Sequence, residues 1–439
     1  MTSPVAVVVA VAVVEDNVNI MANKPFIYTG QSHIPRDVTH VIADPSFKRV
    51  GLSLLFHGCV KLMNTKPKKG AFASIDHCAF RRISIPSTVK MIGEHAFLSC
   101  THLMHVELRE GLESIDKGAF CECTSLEFIS IPSTVKIIGE CAFCHCIRFF
   151  HVELREGLER IDQMAFCECA SLERIVIPST VKVIGEHSFI SCTRLMNVEL
   201  REGLESVDEG AFCECTSLER ISIPSTVKVI GKYAFVRCTR LMHVELREGL
   251  ESISERAFGR CTLLERVSIP STVKVIGEYA FDRFTRLMRV ELREGLERVD
   301  EGAFYECTSL ERVSIPSTIK VIGKHAFHQC TRLMHVELRE GLESISKRAF
   351  SSCSLLERIS IPSTAKVIGE YAFVGCTRLM RVELREGLER VDEGAFYGCT
   401  LLESITIPST VKVIGKEAFV RCTRLMQVEL RAEGGVGEY

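Results

Sequence analysis

Hydrophobic positions recur along this chain with a period of 23 residues. The clearest is a Phe that follows Ala, or Ser in one unit, and it stands at Phe97, Phe120, Phe143, Phe166, Phe189, Phe212, Phe235, Phe258, Phe281, Phe304, Phe327, Phe350, Phe373, Phe396 and Phe419. Two divergent units precede these, around Phe56 and Phe80. One such unit cannot bury its apolar edge alone, whereas stacked units bury a continuous core between neighbours. The pattern predicts a repeat solenoid.

The pattern inside one unit predicts its local structure. Leu103, Val106 and Leu108 alternate with polar residues, which indicates a short half-buried strand. Leu112 and Ile115 lie three apart, a spacing suited to a turn or 3₁₀ segment. The Ala-Phe pair that follows is expected in a short helical turn. Each coil should therefore carry one strand, with helical or 3₁₀ turns on the other side.

Successive units alternate between two kinds of repeat sequence, and the charge at one position alternates with them. The fifth position after the strand-ending Leu or Ile reads Lys90, Glu113, Lys136, Glu159, Lys182, Glu205, Lys228, Glu251, Lys274, Glu297, Lys320, Glu343, Lys366, Glu389 and Lys412. In-register stacking would place each Lys beside a Glu of the next coil, where opposite charges stabilise and like charges destabilise. The alternation predicts a column of ion pairs up the surface.

The unit resembles the repeat of the BspA-type leucine-rich repeat family, named for bacterial surface protein A. The stretch LERVSIPSTVKVIGEYAF, residues 264–281, matches the family pattern almost letter for letter, and the resemblance covers residues 40–431. It implies a right-handed coil with a parallel β-sheet on the concave face. It also implies binding of proteins or surface glycoconjugates, since bacterial members act as surface adhesins.

The pattern divides the chain into four parts. Residues 1–24 are expected to form a flexible apolar leader, 25–70 a divergent N-terminal capping repeat, 71–431 the solenoid and 432–439 a tail. The apolar run within 4–14 has no Lys or Arg before it, so it reads as an extended leader, with a signal peptide as the alternative.

The last unit is incomplete. The chain leaves the repeat after Leu430, and no polar capping repeat follows. The exposed apolar edge predicts self-association through the uncapped C-terminal coil, and a truncated array is the alternative.

Composition narrows the function classes. The 439 residues are 46% hydrophobic with net charge −2, which excludes a disordered chain and gives no basic footprint for nucleic acid. No apolar run reaches the length of a membrane-spanning helix.

Most of the 21 Cys follow the landmark Phe by three residues, and Phe284 replaces one of them, so the position is expected to be buried and the thiols free. Free thiols and the lack of an Asn-x-Ser/Thr site favour a cytoplasmic location, with secretion or the cell surface as the alternative.

The candidate chemistry is weak. A Ser-x-x-Lys pattern such as Ser133 and Lys136 recurs in nearly every second unit, and a turn explains it better than catalysis does. The thiols of Cys121, Cys144 and Cys167 are expected to stack as a patch, but their spacing is not that of a zinc site. We expect no enzyme activity, cofactor or metal.

One His column is also expected to be a solvated polar column. It comprises His105, His151, His243 and His335, with Arg289 and Arg381 at equivalent positions. Its alternate-coil spacing is too wide for two His to share a metal.

The concave strand face is the best candidate binding surface. Its outward residues are expected to form a lattice of Glu153, Glu199, Glu245, Glu291 and Glu337 with Arg174, Arg220, Arg266, Arg312 and Arg358. We interpret the chain as a non-enzymatic scaffold that binds a protein of unknown identity through this face. The alternatives are a merely solvated sheet face and a secreted or cell-surface adhesin that binds host or matrix proteins.

Overall fold

The computed structural model describes residues 81–85 and 87–431, together with the backbone of four short strands before residue 51. The chain divides into two compact units, Met1–Leu218 and Glu219–Tyr439, each built of the same coil. The divergent repeats predicted around Phe56 and Phe80 and the predicted tail 432–439 lie outside the described residues, as does most of the predicted leader and cap. Their boundaries stay predictions.

Each complete coil carries a long strand of three or four residues and a short strand of two. In the first unit the strands are β1 (Val9–Ala12), β2 (Phe26–Tyr28), β3 (His40–Ala43), β4 (Arg49–Val50), β5 (Arg82–Ile85), β6 (Met91–Ile92), β7 (His105–Leu108), β8 (Ser114–Ile115), β9 (Phe128–Ile131), β10 (Ile137–Ile138), β11 (His151–Leu154), β12 (Arg160–Ile161), β13 (Arg174–Ile177), β14 (Val183–Ile184), β15 (Asn197–Leu200) and β16 (Ser206–Val207).

The second unit repeats this order. Its strands are β17 (Arg220–Ile223), β18 (Val229–Ile230), β19 (His243–Leu246), β20 (Ser252–Ile253), β21 (Arg266–Ser268), β22 (Val275–Ile276), β23 (Arg289–Glu291), β24 (Arg298–Val299), β25 (Arg312–Ile315), β26 (Val321–Ile322), β27 (His335–Leu338), β28 (Ser344–Ile345), β29 (Arg358–Ile361), β30 (Val367–Ile368), β31 (Arg381–Leu384), β32 (Arg390–Val391), β33 (Ser404–Ile407), β34 (Val413–Ile414) and β35 (Gln427–Leu430).

Within each unit the long strands stack along one side of the coil and the short strands along another. In the first unit the long strands follow the order β15-β13-β11-β9-β7-β5-β3-β1-β2, in which β1 pairs antiparallel with β2 and β3 and the remaining pairs are parallel. In the second unit β17 pairs with β19, and β21 to β35 form a continuous parallel run. The predicted parallel-strand solenoid is confirmed.

Equivalent residues of successive coils lie side by side because the repeat length stays at 23 residues from β5 to β35. Between β25 and β27, Val313 is paired with Val336 and Ile315 with Leu338, one repeat apart. The strand therefore turns the same face toward the core in each coil, and apolar columns run through the stack.

The landmark Phe residues form the central column of the core. Phe304, Phe327 and Phe350 are fully buried, and their rings stack at centroid distances of 5.3 Å. The first unit has the same arrangement, in which the Phe120 and Phe143 rings lie 5.3 Å apart. Offset stacking of this kind adds to the free energy of burial.

The turns around the Ala-Phe pair are not helical, and this prediction is wrong. The N–H groups of Ala303 and Tyr305 donate to Asp300 and Gly302 in their own coil, at 3.4 and 2.9 Å. Between them, the N–H of Phe304 donates to Ala326 O of the next coil at 2.8 Å. A helix directs every N–H back along its own chain, whereas here every second one holds the next coil.

The expected 3₁₀ segment is also absent from the described coils. Ser114 and Ile115 form the short strand β8, which pairs in parallel with β6 and β10. The three-residue spacing of Leu112 and Ile115 arises because the chain turns sharply between the long and short strands. Within the described residues the structure contains strands and turns only.

The predicted column of alternating charge is confirmed. Each Lys lies within ion-pair distance of a Glu in a neighbouring coil, as in Lys90–Glu113 at 3.1 Å and Lys320–Glu343 at 3.6 Å. Both side chains of each pair are largely exposed, so one pair contributes at most about 1 kcal/mol. The column therefore serves mainly to favour in-register stacking of the coils, and it adds little to the free energy of unfolding.

The Cys position is buried as predicted, and the described cysteines are free thiols. The Sγ–H of Cys330 donates to Phe304 O at 3.3 Å, and Cys353 bonds to Phe327 O in the same way at 3.3 Å. The thiol thus acts as a small apolar side chain that also satisfies a carbonyl of the preceding coil. Phe284 fills the same buried site with an aromatic ring.

The last described coil exposes apolar side chains more than the preceding ones do, where Met380 is 41% and Leu384 is 7% exposed. Met426 is 88% exposed and Leu430 is 74% exposed. Self-association through this coil stays a prediction. Among the described residues, no helix is long and apolar enough to cross a membrane.

Candidate functional site

The long-strand face consists of the first and third residues of the long strands β5 to β35. In β25, Arg312 is exposed and Ser314 half-buried, whereas Val313 and Ile315 are buried. This alternation follows from the pleat of a strand whose other face packs on the core. Two parallel columns of polar side chains therefore run along the face predicted to be concave.

The third-position column alternates hydroxyl and carboxylate groups, except that Val176 replaces a hydroxyl in β13. Ser130 donates to Glu153 at 2.6 Å in the first unit, and Ser314 donates to Glu337 at 2.7 Å in the second. The hydrogen bond from Ser130 holds the pKa of the Glu153 carboxyl below its usual range. These contacts fix the carboxylates in one orientation.

The carboxylates also have cationic partners outside the strand. Arg339 lies just after β27, with Nε 3.5 Å from Glu337 Oε1 and Nη1 3.0 Å from Glu294 Oε1. In the first unit Arg201 bridges Glu199 and Glu156 at 3.1 and 3.2 Å. The acidic column is thus partly neutralised within the protein.

The first-position column differs between the two units. In the first unit it is mixed, with Arg82, His105, Phe128, His151, Arg174 and Asn197, and the Phe128 ring stacks on His151 at 5.5 Å. In the second unit the six strands β21 to β31 present Arg266, Arg289, Arg312, His335, Arg358 and Arg381, all exposed and in register. We call these six residues the cationic column.

A shallow groove of about 580 Å³ runs beside the cationic column. Its walls include Arg312, His335, Arg358 and Arg381 on one side and Glu337 on the other. The groove is open, and its lining mixes charged side chains with apolar ones such as Val313, Val336 and Ile359. Such a surface suits contact with an extended partner better than enclosure of a small molecule.

The predicted site residues occupy two separate columns. Glu153, Glu199, Glu245, Glu291 and Glu337 stand at third positions, and Arg174, Arg220, Arg266, Arg312 and Arg358 at first positions. Among the described contacts, none of these Glu residues forms an ion pair with one of these Arg residues. The predicted lattice is therefore two parallel stripes rather than a network of mutual pairs.

Arg289, His335 and Arg381 are members of the cationic column that sequence reasoning did not assign to the site. The sequence placed them in a separate solvated polar column, because the two alternating kinds of repeat unit were considered separately. Aligning both kinds in one frame would have joined them with Arg266 and Arg312.

The family comparison matches most of the chain. The profile of the BspA type leucine-rich repeat region, six copies long, matches residues 65–196, 159–285, 251–364 and 345–433. The chain belongs to the BspA type leucine-rich repeat family. The comparison with curated proteins gives no significant match.

Several solved structures are similar to this BspA type chain, and the first named here shares its fold. A leucine-rich repeat protein from Bacteroides ovatus ATCC 8483 is 27% identical with a TM-score of 0.69, and the match covers 80% of this chain and 92% of that one. A leucine rich cell surface protein from Faecalibacterium prausnitzii A2-165 is 23% identical with a TM-score of 0.38, covering 99% and 96%. The pneumococcal vaccine antigen PcpA is 21% identical with a TM-score of 0.41, covering 83% and 82%.

The thiol patch predicted at Cys121, Cys144 and Cys167 of this BspA type chain has low chemical reactivity. Hydrogen bonding to Cys144 and burial raise the pKa of the Cys121 thiol far above its ordinary value. The hydrogen bond with Cys121 lowers the pKa of the Cys144 thiol, but the bond with Cys167 and burial bring it to about 12. Since the thiolate is the reactive form, the patch is a poor nucleophile, and the described residues contain no cluster suited to a metal ion.

A second irregular cluster lies in the turns of the second unit. Asp282 is only 5% exposed and stands directly after the landmark Phe, at a variable position where no other described coil carries an acidic residue. Burial raises the pKa of its carboxyl, and Arg256 opposes that shift. Nearby, the Tyr305 ring lies 5.0 Å from His328, and Arg256 lies over the Tyr279 ring at 5.1 Å. Sequence reasoning missed this cluster, although its break from the repeat is visible in the sequence.

Proposed function

We propose that this chain is a non-enzymatic scaffold that binds a protein partner through its long-strand face. The supporting observation is the run of aligned polar side chains on β21 to β31, of which the third-position carboxylates are partly fixed by Ser and Arg contacts. A surface whose side chains are already ordered loses less conformational entropy on binding. Leucine-rich repeat scaffolds of this family are typically non-enzymatic.

The competing interpretation is that the polar face serves only to keep the sheet in contact with water. Both interpretations explain the exposed charges, but only the scaffold requires a partner to lie against the face. A test must therefore report on position as well as on binding.

Site-specific crosslinking provides this test. A photoreactive residue replaces Ser314 on the long strand β25 in one variant and Ser344 on the short strand β28 in the other, both half-buried serines. We expect a partner adduct in producing cells from position 314 and none from position 344. Adducts from both positions, or from neither, would contradict the proposed binding face.

A charge-reversal variant adds a second readout. Changing Glu245, Glu291 and Glu337 to Lys reverses the third-position column while leaving the buried residues of the strands intact. We expect the yield of the adduct at position 314 to change while circular dichroism shows a folded chain. An unchanged yield would mean that the column takes no part in recognition.

A cell-surface location is the second candidate. Family membership favours it over the cytoplasmic expectation, since the family resemblance implies surface adhesins. The free thiols do not oppose it, because Cys330 and Cys353 are fully buried and hydrogen-bonded, and a buried thiol is shielded in either compartment. Protease treatment of intact producing cells, followed by mass spectrometry, should release peptides of this chain if it is exposed, and none if it is cytoplasmic.

A further inference from the structure

We propose that the cationic column of the second unit binds an acidic, extended segment of a partner protein. This inference rests on the proposed function and names the chemistry of the partner. It starts from the alternation of charge between successive coils, which the column of Lys and Glu shows and the cationic column does not.

The column of Lys274, Glu297 and Lys320 alternates in sign from coil to coil, and the Lys274–Glu297 pair lies at 3.9 Å. The same coils stack Arg266, Arg289 and Arg312 directly beside one another. Neighbouring strands lie about 4.8 Å apart, and like charges at that distance destabilise a sheet. The sequence alternates charge in the Lys and Glu column but not in this one. The stacked Arg residues therefore indicate a role other than stability.

The five arginines of this column have no ion-pair partner in the part of the chain that the structure describes. Among the described residues, no carboxylate lies within ion-pair distance of the guanidinium groups of Arg266, Arg289, Arg312, Arg358 and Arg381. Two nearby carboxylates are engaged elsewhere, since Glu311 pairs with Arg332 at 3.8 Å and Glu357 with Arg378 at 3.7 Å. The described residues therefore leave the compensating anion to a partner or to the ions of the solvent.

The geometry favours a peptide among anionic ligands. The six strands span about 24 Å, which an extended peptide of about eight residues covers. Guanidinium groups match carboxylates with paired hydrogen bonds. Glu291 and Glu337 stand two residues along the strand, roughly 7 Å away, and would repel a polymer that is anionic on every side. An extended peptide instead sends alternate side chains in opposite directions, so its acidic edge can face Arg while a neutral edge faces Glu.

The test measures fluorescence anisotropy with the full chain. The probe is a labelled peptide of about eight residues in which Glu alternates with Ser, and its control carries Gln in place of Glu. The column variant is Arg312→Gln with Arg358→Gln. The matched control is Arg298→Gln with Arg390→Gln, which removes the same charge from arginines paired with Asp300 and Asp392 on short strands.

We expect the acidic peptide to bind wild type and the matched control alike, and the column variant about tenfold more weakly. Binding should also weaken with added salt, since the contacts are exposed. Thermal unfolding should show the column variant folded and no less stable, because it relieves like-charge repulsion. The variant Arg312→Lys with Arg358→Lys keeps the charge but lacks the guanidinium group that forms paired hydrogen bonds. It should bind with intermediate affinity.

Four outcomes would overturn the inference. The Gln peptide could bind as well as the Glu peptide, or both Gln variants could weaken binding equally, and either result would remove the role of the column. Heparin could bind at the column while the peptide does not, which would assign the site to a sulfated polysaccharide. If crosslinking at position 314 succeeds while the peptide fails, the scaffold function stands and the acidic partner is wrong.

Discussion

Replacing Phe327 should show how far the stack depends on its aromatic column. The side chain is fully buried and its ring stacks on Phe304 and Phe350 at 5.3 Å on either side. Phe327→Ala removes the ring and leaves a cavity, which costs about 4 kcal/mol of unfolding free energy. Phe327→Leu keeps most of the volume but loses two ring contacts, so we expect about 2 kcal/mol.

Urea unfolding gives the total loss, and hydrogen exchange with mass spectrometry shows where it falls. Each coil contacts only its neighbours, so protection should drop mainly in the coils around residues 304–350. Phe150, which is 48% exposed, provides the control, and Phe150→Ala should cost less than about 0.5 kcal/mol.

Two results would refute this reasoning. Equal losses for Phe327→Ala and Phe150→Ala would mean that the ring column is not a main source of stability. A uniform loss of protection over the whole chain would mean that the coils unfold as one body, and the nearest-neighbour description would be wrong.

Three further predictions follow from the coil. Glu297→Lys places three Lys in succession and should cost about 1 kcal/mol in urea unfolding at low salt, and less at high salt. Gly341→Ala should lower the melting temperature far more than Gly398→Ala, because its Cβ would lie 2.2 Å from Ser317 O, whereas a Cβ at Gly398 meets nothing closer than 3.9 Å. Hydrogen bonds led by the Ser317 backbone N–H hold the pKa of Glu294 below its ordinary value of 4.5, so its stabilising contribution is present above pH 4.5 and disappears as the pH falls through the lowered pKa. Glu294→Gln should therefore flatten the fall in melting temperature below that pH.

Much of the coil could be predicted from periodicity alone. The column of Lys and Glu indicated in-register stacking, and Lys90–Glu113 and Lys320–Glu343 are ion pairs. The replacement of Cys by Phe284 indicated a buried apolar position, and the structure buries both kinds of side chain there. These inferences hold because a constant repeat length makes equivalent residues neighbours in space.

The turns could not be predicted in the same way. Ala303, Phe304 and Tyr305 have a composition that permits a helical turn, and nothing local to them rules it out. The N–H of Phe304 bonds to Ala326 of the next coil, and a partner that distant in sequence leaves no mark on local propensity. Tertiary hydrogen bonding therefore overrides the local preference.

The sequence by itself determined the repeat, the in-register stack, the buried Phe and Cys columns and the alternating surface charge, because each follows from the spacing of residue types. The tertiary structure decided which polar residues meet. Arg266, Arg289 and Arg312 belong to alternating kinds of repeat unit and look unrelated along the chain, yet the sheet register makes them neighbours. The structure also shows that Arg339 engages Glu337 and Glu294, whereas no described carboxylate forms an ion pair with the arginines of the cationic column. Charge pairing depends on distances of a few ångströms, and only the folded stack sets those distances.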